Sequence, residues 1–90
     1  MIKRFMQIQN FQPTQTNESS SYLELVANSI GRVTLKVLDV NGRMAKKFST
    51  TISSVNEKLA LDLNDLNNGA YVLNAFNDGE FVKSIRFIKQ

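Results

Sequence analysis

The chain has 90 residues, enough for one small domain, since independent domains usually run from roughly 50 to 200 residues. Its hydrophobic fraction of 42% and charged fraction of 21% are typical of a folded globular domain. It contains no Cys and no His, which excludes thiol nucleophiles, disulfides, Cys/His zinc sites and His-dependent catalytic triads. The composition therefore favours a non-enzymatic structural or recognition module.

Positive charge is modest and is not arranged as a nucleic-acid site. The formal net charge is +3, and basic residues outnumber acidic ones six to two within residues 31–60. Lys46 and Lys47 are adjacent, but no basic run alternates with aromatic residues. Such spacing is typical of a solvated strand face, so we predict no nucleic-acid partner.

The sequence contains no recognisable targeting or membrane-spanning segment. Gln7, Gln9 and Asn10 interrupt the N-terminal region before it reaches the ~7–15 apolar residues of a signal peptide. The longest apolar runs are far shorter than the ~18–20 residues that cross a bilayer. We therefore predict no membrane insertion, and a cytoplasmic location if the chain starts at Met1.

The N-terminal part of the chain differs in composition from the rest. Residues 5–11 alternate, and the alternation predicts an edge strand with Phe11 on the opposite side from Ile8. The stretch that follows, through residue 21, contains the only proline and a cluster of Thr, Asn and Ser, which predicts a linker or long loop. We therefore predict an N-terminal segment over residues 1–21 and a folded domain over residues 22–90.

Two-residue periodicity dominates the remainder of the sequence. Strands are predicted at residues 22–28, 33–40, 43–51, 57–63, 70–76 and 80–88, with polar turns at 28–31 and 53–56. Their inward positions form one apolar stripe: Leu23, Leu25, Val33, Leu35, Val37, Leu59, Leu61 and Leu63. No segment has a 3.6-residue apolar period over ~10 residues. The pattern predicts an all-β fold, an immunoglobulin-like antiparallel β-sandwich of six or seven strands.

Aromatic residues of the predicted strands are assigned to the same core, because strand aromatics usually pack in the interior. These residues are Phe48, Tyr71, Phe76, Phe81 and Phe87. An exposed stacking platform is the alternative use of these rings.

Turns with glycine are expected to join several of the strands. Asn41 and Gly42 both tolerate positive φ, so they predict a two-residue type I′ hairpin turn. Asp78 and Gly79 give a second hairpin signal of the same kind. Gly69 predicts a positive φ in the preceding connection. We therefore assign these five residues a structural role.

The oxygen-bearing side chains do not form a recognisable metal or catalytic motif. Those within residues 62–68 lack the spacing of a calcium loop, and Asp39 and Asn41 are followed by Arg43 and Met44, which breaks that pattern. An irregular calcium site between loops is the remaining alternative. Paired-carboxylate catalysis is disfavoured because most of these acids lie beside turns. The glycines are too widely separated for a phosphate loop, so no cofactor is predicted.

Three segments, taken in order, resemble a known family. They are VTLKVLDVNGR at residues 33–43, LDLNDLNNGAYVL at residues 61–73, and the basic terminal stretch VKSIRFIKQ at residues 82–90. Their order and spacing resemble the type A C-terminal sorting domain of cargo proteins of the type IX (Por) secretion system. The resemblance covers about residues 22–90.

This resemblance implies an immunoglobulin-like sandwich at the end of a longer secreted or cell-surface cargo protein. In that family, the outer-membrane translocon recognises the domain, and a sortase-like peptidase often removes it and attaches the cargo to surface lipopolysaccharide. The domain is then a signal for sorting and not an enzyme. Its expected partners are translocon and sortase-like components.

Basic residues of the terminal strand and one turn are the candidates for recognition. We expect Arg43, Lys83, Arg86 and Lys89 to form a docking surface bounded by a strand edge. The alternative function is a stand-alone β-sandwich that binds other proteins or has a structural role. In that case an exposed edge strand offers a route to self-association.

Overall fold

The computed structural model describes residues 6–12, 22–27, 31–52 and 56–89, and these residues form seven β-strands. The strands are β1 (Met6–Gln12), β2 (Tyr22–Ala27), β3 (Gly31–Leu38), β4 (Met44–Ile52), β5 (Asn56–Ala60), β6 (Gly69–Asn77) and β7 (Glu80–Lys89). Residues 13–21 of the predicted linker and most of the predicted turns at 28–31 and 53–56 lie outside the described residues. The start of that linker, Phe11 and Gln12, belongs to β1.

The strands form two antiparallel sheets that pack as a sandwich. One sheet has the order β1-β2-β5, and the other has the order β4-β3-β6-β7. In the lettering used for immunoglobulin-like sandwiches, these orders correspond to A-B-E and C′-C-F-G. The predicted antiparallel β-sandwich is thus confirmed, and its four edge strands are β1, β5, β4 and β7.

The core lies between the two sheets and is built by alternate residues. The predicted apolar stripe is confirmed: seven of its eight residues are buried, and Leu59 is half-buried against them. The largest of the fully buried side chains are Leu23, Leu25, Leu35, Ile52, Leu63 and Leu73. Met6 and Ile8 of β1 are also buried, so the edge strand of the three-stranded sheet contributes to the core.

A β-bulge in β1 changes which of its side chains face the core. Ile8 lies opposite Leu25 and Asn10 lies opposite Glu24, so Gln9 is the extra residue. The bulge turns Phe11 to the core side, where its ring meets the Phe87 ring edge-on at 5.3 Å between centroids. The expectation that Phe11 faces away from Ile8 is therefore wrong.

Only part of the aromatic set belongs to the core. Tyr71 and Phe87 are buried with stacked rings 5.7 Å apart, and Phe48 is half-buried against the core. Phe76 and Phe81 are paired across β6 and β7 on the opposite side of the sheet, and Phe81 is 59% exposed. The assignment of Phe76 and Phe81 to the core is wrong. A bulge at Val82 shifts the alternation of β7 and turns Phe81 outward.

The β3–β4 hairpin is present, but its turn differs from the predicted type. The Gly42 N–H donates to the Asp39 carbonyl at 3.0 Å, and the Asp39 N–H donates to the Arg43 carbonyl at 2.9 Å. Gly42 has φ +78°, whereas Asp78 is the only non-glycine residue with positive φ in the described part of the chain. The turn is therefore a three-residue loop with a terminal positive-φ glycine, and the two-residue type I′ turn is wrong.

The β6–β7 turn does have the two-residue type I′ form. Asp78 has φ 51° and Gly79 has φ 87°, between the paired residues Asn77 and Glu80. Asp78 also holds the start of β3: its N–H donates to the Arg32 carbonyl at 2.8 Å, and its Oδ1 accepts the Arg32 N–H at 2.9 Å. This turn is consequently fixed to the neighbouring strand pair.

Candidate recognition surface

β7 is a ten-residue edge strand that carries three of the four candidate recognition residues. Its pairing with β6 places residues 83, 85, 87 and 89 on the core side, opposite residues 75, 73, 71 and 69. Residues 84, 86 and 88 point to the outside of the sandwich. Lys83 and Lys89 are thus on one side of β7, and Arg86 is on the other.

The structure does not bring the four basic residues together as one surface. Lys83 is exposed and Lys89 is half-buried, six residues apart along the core-side edge. Arg86 is exposed on the outer face of the sheet. Arg43 lies in the β3–β4 turn, with 77% of its side chain exposed.

Lys83 and Arg86 border a groove between the edges of the two sheets. The groove has a volume of about 660 Å³ and runs between β1 and β7. Gln9, Asn10 and Phe11 form its β1 side. It therefore combines strand-edge backbone with two cations.

Arg43 and Arg86 lie at the end of the sheet that holds the β3–β4 turn. Arg86 and Asp39 line a surface cavity of about 580 Å³, whose other walls include the apolar side chains of Val40, Val72 and Ile88. The Arg43 Nε atom is 3.4 Å from Asp39 Oδ2, which places the two arginines at the same end.

Asp39 organises this end of the molecule electrostatically. Its Oδ1 accepts the Arg43 N–H at 3.0 Å and the Asn41 N–H at 2.9 Å. The hydrogen bond from the Arg43 backbone, together with that from Asn41 and the Arg43 charge, lowers the pKa of Asp39 below its ordinary value. The carboxylate therefore stays charged and holds the turn. This role of Asp39 has a sequence signal: an Asp two residues before Asn41 is well placed to accept hydrogen bonds from backbone N–H groups of the turn.

The residues that connect β5 and β6, 61–68, make several contacts within the domain. The Lys46 Nζ is 2.7 Å from Asp65 Oδ1, and this hydrogen bond lowers the pKa of Asp65. The Tyr71 hydroxyl donates to the Asn67 carbonyl at 2.7 Å, and Asp62 Oδ1 accepts the Asn64 N–H at 3.1 Å. Sequence reasoning missed the Lys46 to Asp65 ion pair, because it joins β4 to the distant β5–β6 connection and has no local signature.

Two further findings concern metals and membranes. Within residues 6–12, 22–27, 31–52 and 56–89, no three side chains of His, Cys, Asp or Glu are grouped so that they could hold a metal ion. The same part of the chain has no helix with the length and apolar character needed to span a membrane.

An antiparallel sandwich with a basic edge strand has the features of a domain that other proteins recognise. The family model of the secretion system C-terminal sorting domain matches residues 8–90, and the chain belongs to this family. It is a type IX secretion system C-terminal sorting domain, a non-catalytic signal that directs the secretion of cargo proteins. The match begins inside β1, upstream of the expected residue 22. Searches of curated proteins and of solved structures returned no match.

Family membership confirms the resemblance found in the sequence and the predicted class of function. It implies that the domain interacts with secretion machinery, and that the cargo protein is secreted or located at the cell surface.

Proposed function

We propose that the type IX translocon and a sortase-like component recognise this sandwich through β7 and the β3–β4 turn, and that the cargo is attached to the cell surface. Family membership supports the first part of this proposal, since the domain directs secretion. The recognition elements within the domain are inferred from the exposed basic residues described above.

The single observation that carries the proposal is the position of β7. Only one side of β7 is paired in the described sheets, and the strand borders the groove against β1. An extended partner segment in this groove can hydrogen bond to strand-edge backbone, while alternate side chains supply specificity. Lys83 and Arg86 both lie on the β7 side of the groove, one on each side of the strand, and add charge at its rim.

The experiment is an export assay with the whole chain as the signal. Residues 1–90 are fused behind a reporter that carries its own signal peptide, in a bacterium with a type IX system. We expect the reporter to reach the cell surface or the medium. Because Lys83 and Lys89 supply the core-side charges of β7, Lys83→Ala with Lys89→Ala is expected to reduce delivery. Arg43→Ala with Arg86→Ala tests the β3–β4 turn and the outer face of β7 in the same way.

A matched control separates recognition from folding. Lys58→Ala removes a cation from an exposed position of β5, in the other sheet, and is expected to leave export unchanged. Surface substitutions of this kind usually change stability by less than about 0.5 kcal/mol, so melting temperatures should stay close to that of the parent. Retention of the parent fusion in the periplasm would overturn the proposal and favour the stand-alone binding module.

A further inference from the structure

The exposed apolar side chains of the sandwich are concentrated on one of its two outer faces. Four large hydrophobic residues of the described chain are exposed: Val40, Met44, Phe81 and Ile88. All four belong to the outer face of the four-stranded sheet. Met44 lies opposite Leu38 and Phe81 lies opposite Phe76, and both partners are at outward positions of their strands. Val40 and Ile88 line the cavity at the β3–β4 end of the same face. We call this surface, formed by the outward side chains of β4, β3, β6 and β7 together with Val40, the outward face. Clustered exposed apolar residues commonly mark interaction sites.

The outer side of the three-stranded sheet has a different character. Glu24 of β2 lies opposite Lys58 of β5, and neighbouring outward positions include Gln7 and Asn56. This side therefore has paired opposite charges and polar side chains, with the half-buried Val26 between Gln7 and Asn56 and no exposed large apolar residue among those described, as expected for a surface adapted to water. The contrast makes the outward face the distinctive surface of the domain.

Apolar groups occupy both ends of the outward face. At one end, the Phe76 and Phe81 rings meet edge-on at 5.8 Å. At the other end, Val40, Val72 and Ile88 line the cavity of about 580 Å³. A cavity of this kind can accept one buried side chain of a partner, and such anchors commonly dominate binding energy.

The charges of the outward strand positions are positive. The outward strand positions of the four-stranded sheet carry four basic residues and no carboxylate: Arg32, Lys36, Lys47 and Arg86. The Lys36 ammonium lies 4.9 Å from the centre of the Phe76 ring, so it is held against the aromatic pair. Asp39 is at the rim of the cavity, but its carboxylate is already engaged by Arg43. The face thus offers cations to a partner with acidic groups.

We propose that the outward face is a docking surface for a folded protein partner whose contact surface places carboxylates around an apolar centre. An apolar side chain of the partner enters the cavity beside Ile88, and its carboxylates pair with Lys36, Lys47 and Arg86. A second copy of the domain does not suit this face, because its own cations would be brought together. With four strands ~4.8 Å apart, the face measures roughly 20 by 30 Å, which is comparable with the ~800 Å² that one partner contributes to a standard interface.

This inference rests on the chemistry of the outward face and goes beyond export through the β1–β7 groove. Arg86 and Ile88 border both surfaces, so Phe81 and Lys47, which do not line the groove, distinguish the two. The test uses the purified chain and a synthetic amphipathic helical peptide with Leu and Glu on one side. A helix on a sheet face is one of the common layer arrangements of proteins. We expect the peptide to bind, as measured by fluorescence anisotropy, with amide chemical-shift changes on outward residues of β3, β6 and β7. Binding should weaken as salt is added.

Substitutions on the two faces distinguish docking from general attraction. Phe81→Ser and Ile88→Ser are each expected to weaken the peptide Kd on the order of tenfold, through loss of apolar contact. Lys47→Ala should weaken the Kd by about two- to fivefold, whereas Lys58→Ala on the other face should leave it unchanged. Melting temperatures of the same variants identify any loss of folding.

Four outcomes would overturn the proposal. The first is the absence of peptide binding, and the second is equal binding of an analogue with Lys in place of Glu. The third is a set of shift changes confined to the β1–β7 groove or to the three-stranded sheet. The fourth is a different occupant: binding to vesicles of anionic phospholipid without binding to the peptide, or a concentration-dependent dimer that Phe81→Ser abolishes.

Discussion

At the residue scale, Asp39 determines the form of the β3–β4 turn. Its carboxylate accepts two backbone N–H groups, and its own N–H and carbonyl close the loop from the strand side. Positive φ is then needed only at Gly42, and Asn41 adopts ordinary backbone geometry. The preference of Asn-Gly for a type I′ turn concerns Asn41 and Gly42 alone, so it does not take account of the hydrogen bonds that Asp39 accepts at the end of β3.

We expect Gly42→Val to destabilise the domain by about 1–2 kcal/mol, because φ +78° is unfavourable for a residue with a Cβ atom. A Cβ at Gly42 would have no atom within 4 Å, so the effect is conformational and not steric. Gly42→Asn is the matched control and should cost less, since Asn tolerates this region. The measurement is urea unfolding, and equal midpoints for Gly42→Val and the parent would contradict the turn geometry.

Acid should weaken the domain partly through Asp39. Its folded-state pKa is lowered, so its stabilising contribution is complete above the unfolded-state pKa of about 3.9 and is lost as the pH falls through the lower folded-state pKa. We expect Asp39→Asn to be less stable than the parent at neutral pH and to lose less stability when acidified to about pH 3. Urea unfolding at both pH values measures this difference. Asp62→Asn controls for the change of charge, and an equal acid effect in parent and Asp39→Asn would refute the expectation.

At the scale of the strands, regular alternation explains what the sequence could predict. β2 and β3 have no internal bulge that changes their inner face, and their predicted inward residues are all buried. Predictions about Phe11 and Phe81 were wrong because bulges in β1 and β7 shift the alternation by one residue. Bulges depend on pairing with a neighbouring strand, and a single sequence does not reveal that pairing.

The three bulges of the described strands all lie in edge strands, where a bulge hinders pairing with another chain. They interrupt β1, β4 and β7, which are three of the four edge strands. Bulges and edge lysines both hinder the pairing of exposed edges with other chains. Lys83 directly follows the bulged Val82, and Lys46 directly follows the bulged Ala45. Edge protection and the proposed recognition therefore involve the same residues of β7.

Core truncation tests the assignment of inner faces. Leu35 and Leu61 are 1% and 4% exposed, one in each half of the chain. We expect Leu35→Ala and Leu61→Ala each to cost on the order of 2–5 kcal/mol, because each leaves a cavity in a packed interior. Val40→Ala is the matched control, since Val40 is 77% exposed, and should cost less than about 0.5 kcal/mol. Chemical denaturation provides the free energies, and losses below about 1 kcal/mol at both leucines would exclude the assigned core.

At the scale of the whole molecule, the sequence predicted the sandwich and the family but not the distribution of the candidate site. Strand periodicity predicted the fold class, and three ordered segments gave the resemblance that the family model over residues 8–90 confirms. The division of Lys83 and Arg86 between two sides of β7 follows from strand register. The outward face likewise depends on strand register, because the pairing of β6 with β7 and the bulge at Val82 place Phe76, Phe81 and Ile88 on the same surface.

The N-terminal strand β1 is part of the packed sandwich. The sequence favours residues 22–90 as the domain, yet β1 pairs with β2 along its length and buries Met6 and Ile8 in the core. Removing residues 1–21 would expose the apolar edge of β2 and leave Phe87 without the Phe11 ring. Burial of two such side chains contributes on the order of 3–6 kcal/mol, a large share of the ~5–15 kcal/mol typical of a domain.

We therefore expect the shortened chain, residues 22–90, to unfold at a much lower urea concentration than the full chain, or to be unfolded at 25 °C. Ile8→Ala in the full chain should reproduce part of this loss, about 2–5 kcal/mol, whereas Gln7→Ala, at an exposed position of the same strand, should not. Equal unfolding midpoints and slopes for the shortened and full chains would establish residues 22–90 as the autonomous unit. In that case β1 would be a detachable strand, and the groove beside β7 would be open to replacement of β1 by a strand of a partner.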